Sequence, residues 1–515
     1  MDFLEIFDET LRDENNYSIT ENFALGYKTT GKKLLDMNFA VSSLRRASNY
    51  DIINQFADAY FEDPQTALIW LFFVRDIRGG LGERRLFRII FKELAGSNYI
   101  PEYILQELIK IIPEYGRFDD LLPLLDTAHG QKIIDIIKIQ LEKDIKGIQE
   151  KESISLLAKW LPSINASSKK TRATAMIIIK GLGMSYANYR KTLAKLRDYI
   201  DITERKMSGR RFDEIKYESV PSKANLLYKN AFLTRDKERR LEFLENLEKG
   251  EAKINAATLY PHDIVHAYMN ISDYMTNHLL KPHDETLEQL WKALPETPDL
   301  ENTIVVADGS ASMMMTIGNS KCTALAVANA LAVYFAERSK GQFHDKYITF
   351  SGNPQIVDLS KGKSLRQKLH ITLRHNEVEN TDIYKVFKLI LNTAVRNKVK
   401  QEEIPKNIII ISDMEFDSGT SGTNNRPDTR LFEQISKEYK KYKYELPRLI
   451  FWNVNSRTKT IPLTTNNLGV ALVSGFSISI AKMVMSTELD AYKVLLETLN
   501  SKRYETVRQI VAGLE

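Results

Sequence analysis

One cysteine, Cys322, stands among 515 residues, which excludes an internal disulfide framework and any zinc or iron–sulfur site built from clustered thiolates. Histidine is scarce too: the eight present never form His-Glu-x-x-His, so zincin chemistry has no support. No Gly-x-x-x-x-Gly-Lys-[Ser/Thr] run exists, removing a P-loop NTPase, and no Gly-x-Ser-x-Gly, removing a nucleophile elbow. The longest strongly apolar run, ALIWLFFV at 67–74, falls far short of the roughly 20 residues that span a bilayer. The opening MDFLEIFDETLRDE is acidic and lacks the cationic and apolar parts of a secretory signal. A reducing, cytoplasmic setting with no membrane association is therefore expected. The charge balance, 72 Lys+Arg against 67 Asp+Glu for a net +5, neither demands nor excludes nucleic acid.

What is present is long enough for two or more folding units. Up to about residue 298 the chain reads as helix after helix, for instance over 52–61, 66–76, 83–94, 101–112 and 131–148. Apolar residues recur there at i, i+3 and i+4, and short Gly- or Pro-bearing breaks separate the segments. This predicts an all-α domain over 1–298, a helical-repeat array whose repeats are degenerate. The polar stretch 204–223 reads as an irregular insertion. From 299 to 515, short β-branched runs such as TIVVA (303–307), NIIII (407–411) and RLIFWN (448–453) alternate with amphipathic helices. That pattern predicts a Rossmann-like α/β domain with a parallel sheet covered on both faces.

Chemistry concentrates at the end of that domain's first strand, in Asp308-Gly309-Ser310-Ala311-Ser312. An Asp with hydroxyls at +2 and +4 can turn three hard oxygens toward one point, which suits Mg²⁺, Mn²⁺ or Ca²⁺. Asp413 occupies the equivalent place after the strand at 407–411, and Thr381 opens the helix between them. In open α/β sheets, ligands bind beyond the carboxyl ends of the strands, where both Asp residues fall. The plainer reading is a strand-end Asp capping a helix with serines behind it. A haloacid-dehalogenase-type phosphotransferase needs an Asp at position 310, where Ser stands.

DxSxS, a loop Thr and a second strand-end Asp resemble the metal-ion-dependent adhesion site (MIDAS) of von Willebrand factor A (vWA) domains. The resemblance implies that Asp308, Ser310, Ser312, Thr381 and Asp413 ligate a divalent cation directly or through water. It also implies an open coordination position for an acidic group of a protein partner. Ala311 departs from the Gly of many members.

Resolved along the chain, the charge is uneven. Residues 159–216 carry 14 basic and 5 acidic side chains, a net of +9. The candidate phosphate contacts are Lys169, Lys170, Arg172, Arg190, Lys191, Lys195, Arg205, Lys206, Arg210 and Arg211, with Tyr186, Tyr189, Tyr199, Phe212 and Tyr217 interleaved. Cations for phosphates with aromatics for unstacked bases hold single-stranded RNA or DNA. A solvated helical face accounts for the same charge. A second basic edge, Arg75, Arg78, Arg84, Arg85 and Arg88, surrounds Gly79-Gly80-Leu81-Gly82; with no strand before it, those glycines read as a turn between helices.

The words RDIRGGLGER (75–84) and YGRFDD (115–120), with Lys159-Trp160-Leu161-Pro162-Ser163 and Tyr189-Arg190-Lys191, resemble the start of the TROVE module of Ro-type RNA-binding proteins. Val220-Pro221-Ser222, Tyr260-Pro261-His262-Asp263, Ile411-Ser412-Asp413-Met414-Glu415-Phe416-Asp417 and Phe451-Trp452-Asn453 are similar to words of TROVE-like proteins in which that module is fused to a vWA domain. The resemblance implies a ring or horseshoe of HEAT-like repeats followed by a vWA domain. It further implies a non-enzymatic ribonucleoprotein component holding noncoding RNA, with a monomer favoured. Two rivals stand beside it: a metal-dependent protein-interaction scaffold without RNA, and, less well supported for want of a base near the acids, a metal-dependent nuclease.

Overall fold

The computed structural model describes residues 15–269, 280–296, 300–318, 320, 322–350, 353–375, 382–418, 430–477, 480–484, 486 and 488–514, together with Leu4, Phe7, Thr10 and Leu11. The stretch GTSGTNNRPDT at 419–429, whose composition reads as a loop, and the expected ligand Thr381 lie outside these residues. The chain forms two units, each drawn from two stretches: Met1–Glu62 with Ala256–Ser501, and Asp63–Asn255 with Lys502–Glu515. This division differs from a single boundary near 298, because both ends of the chain pack away from their sequence neighbours.

In the first unit the β-branched runs become strands: β1 Thr303–Asp308, β2 Lys346–Phe350, β3 Gln355–Asp358, β4 Asn407–Ser412, β5 Arg448–Asn453 and β6 Val470–Ser474. The sheet order is β3-β2-β1-β4-β5-β6. Every pair is parallel except β2–β3, so the expected parallel sheet is mixed at one edge. The physical reason is chain length: the few residues between Phe350 and Gln355 are too short for a crossover and permit only a hairpin. β1, β5 and β6 are buried along their whole length, which is why they read as continuous apolar runs. Helix Ala324–Arg338, capped by the Thr323 hydroxyl, packs on β1, β2 and β4, and its alanines permit a close approach.

Segments distant in sequence complete this unit. Tyr27 pairs with Ile461 and Phe23 with Asp417 as isolated bridges. Helix Lys33–Phe39 lies against β6 with Leu34, Leu35, Met37 and Phe39 buried. Helix Pro261–Tyr268 packs on Ala324–Arg338. Buried Glu288, from helix Glu285–Lys292, accepts the backbone N–H groups of Leu365 (2.7 Å) and Arg366 (3.1 Å), closing the N-terminus of helix Leu365–Arg374.

The second unit is helical: Pro64–Arg75, Arg84–Gly96, Glu102–Tyr115, Gly130–Glu150, Lys169–Gly181, Tyr186–Tyr199, Ser222–Arg235 and Lys237–Lys249, with Glu505–Val511 returning to pack on the first and third. The 204–223 stretch is more ordered than expected, with helix Thr203–Ser208 and the 3-10 turns Phe212–Glu214 and Tyr217–Ser219. The glycine-rich word at 75–84 is a packed turn. A Cβ at Gly80 would stand 1.9 Å from the Phe73 carbonyl oxygen, so only glycine fits. Asp76 at its start is buried and receives Arg503 Nε (2.8 Å), the Tyr504 hydroxyl (3.2 Å) and the Arg78 backbone N–H (3.0 Å).

Candidate functional site

The strand order reverses between β1 and β4: from β1 the chain goes first to β2 on one side, later to β4 on the other. At such a switch point the loops leaving the two central strands diverge and open a crevice at their carboxyl ends. Asp308 ends β1, and Ser412-Asp413 ends β4, so both carboxylates stand at that crevice. Ser412 Oγ donates to Asp308 Oδ2 (2.6 Å) and the Ser310 backbone N–H to Asp308 Oδ1 (2.9 Å). The Ser310 and Ser312 hydroxyls are 3.0 Å apart. Met414 turns left-handed (φ 63°), and Glu415 N–H donates to Asp413 Oδ1 at 3.3 Å.

Four of the five expected ligands are therefore gathered, and Thr381 is the one not described. Burial pushes both Asp308 and Asp413 well above the usual carboxylate range, and the Asp308 charge pushes Asp413 further. Asp413 Oδ2 is buried and accepts no well-formed hydrogen bond. Two desolvated carboxylates with two hydroxyls beside them are a donor set that fits a hard divalent cation retaining several waters. Among the described residues no three carboxylate, imidazole or thiol groups cluster as a closed metal cage, so the set consists of two acids plus hydroxyls.

Sequence reasoning missed two groups here. Arg457, on the segment after β5, brings Nη1 to 3.2 Å from Asp413 Oδ2 and Nε to 2.7 Å from Glu21 Oε1. Glu415, fully buried, accepts the backbone N–H groups of Glu21 (2.9 Å), Arg457 (2.7 Å) and Thr458 (2.9 Å), tying three segments together behind the crevice. The available signal was topological: β5 neighbours β4, so the segment leaving β5 is also drawn to this end of the sheet.

The basic candidates separate sharply. Arg75 is 1% exposed and pairs with Asp120 through Nε (2.7 Å) and Nη2 (2.6 Å); a buried, paired guanidinium meets no phosphate, so it leaves the candidate set. Arg78, Arg84 and Arg85 are exposed. Arg172 is half-buried and donates to the carbonyls of Ala166 and Ser167 (2.6 and 2.8 Å). Arg205 pairs with Asp198 (2.8 Å), Lys206 with Asp201 (2.5 Å) and Arg211 with Glu214 (3.0 Å). Arg210 is exposed and lines a hollow of about 480 Å³ with Phe212 and Arg235.

Lys169, Lys170, Arg190, Lys191 and Lys195 differ from these: all are exposed, with no ion pair among the described residues. They ride on helices Lys169–Gly181 and Tyr186–Tyr199, capped by Ser168 and Ser185, and both helices pack on Gly130–Glu150. Of the interleaved aromatics, Tyr186 is 58% exposed, whereas Tyr189 and Tyr217 are buried. Tyr189 donates to the Pro162 carbonyl (2.9 Å), and Arg197 donates to the Ala158 and Leu161 carbonyls (2.8 Å each) and to Ser163 Oγ (2.9 Å). These bonds fix which face of the helix points outward. From Glu152 to Asp198 the chain holds no acidic residue in between; a counter-charge from outside that stretch is Asp126, which feels Lys170.

Fold and geometry thus define a two-unit chain, helical and doubly wound α/β, with an acid-and-hydroxyl crevice in the second architecture. Two family models match it, both described as domains of unknown function: DUF2828 over residues 131–297 and DUF7788 over 302–509. The chain is 28% identical to uncharacterized protein L728 of Acanthamoeba polyphaga mimivirus, over 92% of this chain and 85% of that protein. Among solved structures it is similar to the Deinococcus radiodurans RO (RSR) protein at a TM-score of 0.38 and 12% identity, covering 92% of this chain and 93% of that one. Among the described residues no helix is long and apolar enough to cross a membrane.

Proposed function

We propose that the protein is a non-catalytic RNA-binding protein that holds single-stranded or misfolded RNA on the outward faces of helices Lys169–Gly181 and Tyr186–Tyr199. The observation that carries this reading is the acid-free stretch in which Lys169, Lys170, Arg190, Lys191 and Lys195 stand exposed with no ion pair among the described residues, with Tyr186 available to stack on a base. The TROVE-like words support the same reading, with the helices as HEAT-like repeats, and so does their pairing with a vWA-like unit. Affinity for a fluorescently labelled single-stranded RNA is expected to fall steeply between low and moderate salt, as condensed counterions are released. Absent or salt-independent binding overturns it, and RNA is expected to stay intact in Mg²⁺.

A second reading is favoured by the gathering of buried Asp308 and Asp413 with the Ser310 and Ser312 hydroxyls at one crevice: a divalent-cation site that docks a protein partner. Asp308, Asp413, Ser310 and Ser312 would hold Mg²⁺, Mn²⁺ or Ca²⁺, which supplies a coordination position for a partner's carboxylate. Asp308 and Asp413 orient the site, and Ser412 fixes the Asp308 carboxylate. Asp308→Ala is expected to abolish capture of an acidic partner and leave RNA affinity unchanged. If RNA affinity falls with it, the two activities share one surface and are not separate functions.

A further inference from the structure

We propose that Arg457 is a built-in counter-cation of the Asp308–Asp413 crevice, which leaves Asp413 for Glu21 when a divalent cation enters and thereby sets the cation affinity of the site. The inference rests on the divalent-cation reading above.

Arg457 is held by its backbone, whose N–H donates to Glu415 Oε1 at 2.7 Å, while its guanidinium spans two carboxylates. One is Asp413, fully buried, with Oδ2 at 3.2 Å from Nη1; the other is Glu21, half-exposed, with Oε1 at 2.7 Å from Nε. The approach to Asp413 is an attraction of charges without a well-aligned hydrogen bond, since Oδ2 accepts none. A guanidinium keeps its charge at any working pH. It supplies one positive charge to a crevice holding two desolvated carboxylates, where a divalent cation supplies two. Both cations cannot sit on Asp413 at close range in a medium of low effective dielectric. Binding of one must then displace the other, and Glu21 is the partner already in reach.

Glu21 belongs to a segment joined along the residues that follow Asp413. Thr20 Oγ1 donates to the Phe416 carbonyl (2.6 Å), Asn22 Nδ2 to the Glu415 carbonyl (2.7 Å), and Phe23 bridges Asp417. Cation loading is therefore tied to residues 20–23 through one side chain.

A merely structural ion pair and a competing cation differ in sign. Mn²⁺ binding to the full chain, measured by calorimetry and by electron paramagnetic resonance of free Mn²⁺, separates them. Arg457→Gln is expected to tighten Mn²⁺ binding by about tenfold, since it removes a like charge from the crevice. Glu21→Gln, at a half-exposed position, is expected to weaken it, because Arg457 loses its alternative partner and stays on Asp413. Asp413→Asn abolishes binding in every background. Unchanged or weaker binding in Arg457→Gln, or unchanged or tighter binding in Glu21→Gln, overturns the proposal while the cation site stands. Absence of Mn²⁺ binding in both wild type and Arg457→Gln overturns the cation reading and this inference together.

Discussion

Arg75 and Asp120 bury an ion pair whose side chains are 2% and 0% exposed. Asp120 also accepts Arg88 Nε (2.7 Å) and the Arg117 backbone N–H (2.9 Å), so a single carboxylate joins the RDIRGGLGER and YGRFDD words. Removing one partner of such a pair leaves a buried charge uncompensated, which costs about 3–5 kcal/mol. Asp120→Ala is therefore expected to lower unfolding stability by that order. Arg84→Ala, at an exposed position, should stay within about 0.5 kcal/mol. Urea unfolding followed by tryptophan fluorescence distinguishes them, and equal midpoints for the two variants would refute the assignment. In the sequence Arg75 and Arg84 belong to one basic edge and look alike. The carboxylate that claims Arg75 lies 45 residues away, and neither charge nor local spacing encodes that meeting.

Helices and strands are the scale at which sequence reads best, because periodicity reports which face meets the core. Helix Tyr186–Tyr199 turns Tyr189, Leu193 and Leu196 inward and Arg190, Lys191 and Lys195 outward. Lys191→Glu with Lys195→Glu is expected to weaken RNA binding. It should also lower the slope of log affinity against log salt by roughly 0.7 for each phosphate no longer neutralised, with the melting temperature unchanged. Arg197→Ala, which removes three bonds to the segment at 158–163, should lower the melting temperature instead. If both variants act alike on binding and stability, the outward face is not the RNA face. Asp308 and Asp413 were legible for a related reason: an apolar β-branched run that ends in Asp marks a strand's carboxyl end. Arg457 was not, since no period links a segment after β5 to one after β4. At this scale metal removal is also informative. Mg²⁺ at a hundredfold excess over its Kd should stabilise the wild type by about 2.7 kcal/mol. Asp413→Asn should show no Mg²⁺-dependent shift in a thermal melt, and an equal shift in both would place the ion elsewhere.

Across the whole chain, the composition changes near residue 298, but packing is decided by tertiary neighbours that composition does not record. Helix Lys33–Phe39 covers β6 with four buried apolar side chains. The joint is polar as well: Ser42 N–H donates to Ser474 Oγ (3.0 Å) and Asn453 Nδ2 to the Phe39 carbonyl (2.8 Å). Glu288 closes the helix at Leu365 from outside the 299–501 stretch. A fragment comprising 299–501 alone would expose the apolar face of β6, the face of Ala324–Arg338 that Pro261–Tyr268 covers, and unpaired backbone groups at Leu365 and Arg366. Each fully buried Leu, Met or Phe contributes about 1.5–3 kcal/mol, so losing Leu34, Leu35, Met37 and Phe39 alone approaches the total stability of an ordinary domain, about 5–15 kcal/mol. The fragment is therefore expected to lose its near-ultraviolet circular dichroism and bind a hydrophobic dye. Residues 1–62 joined by a flexible linker to 256–501 should instead melt cooperatively. A cooperative transition of the short fragment at the temperature of the joined one would mean that the flanking segments are appendages, and that the boundary near 298, read from composition, also divides the folding units.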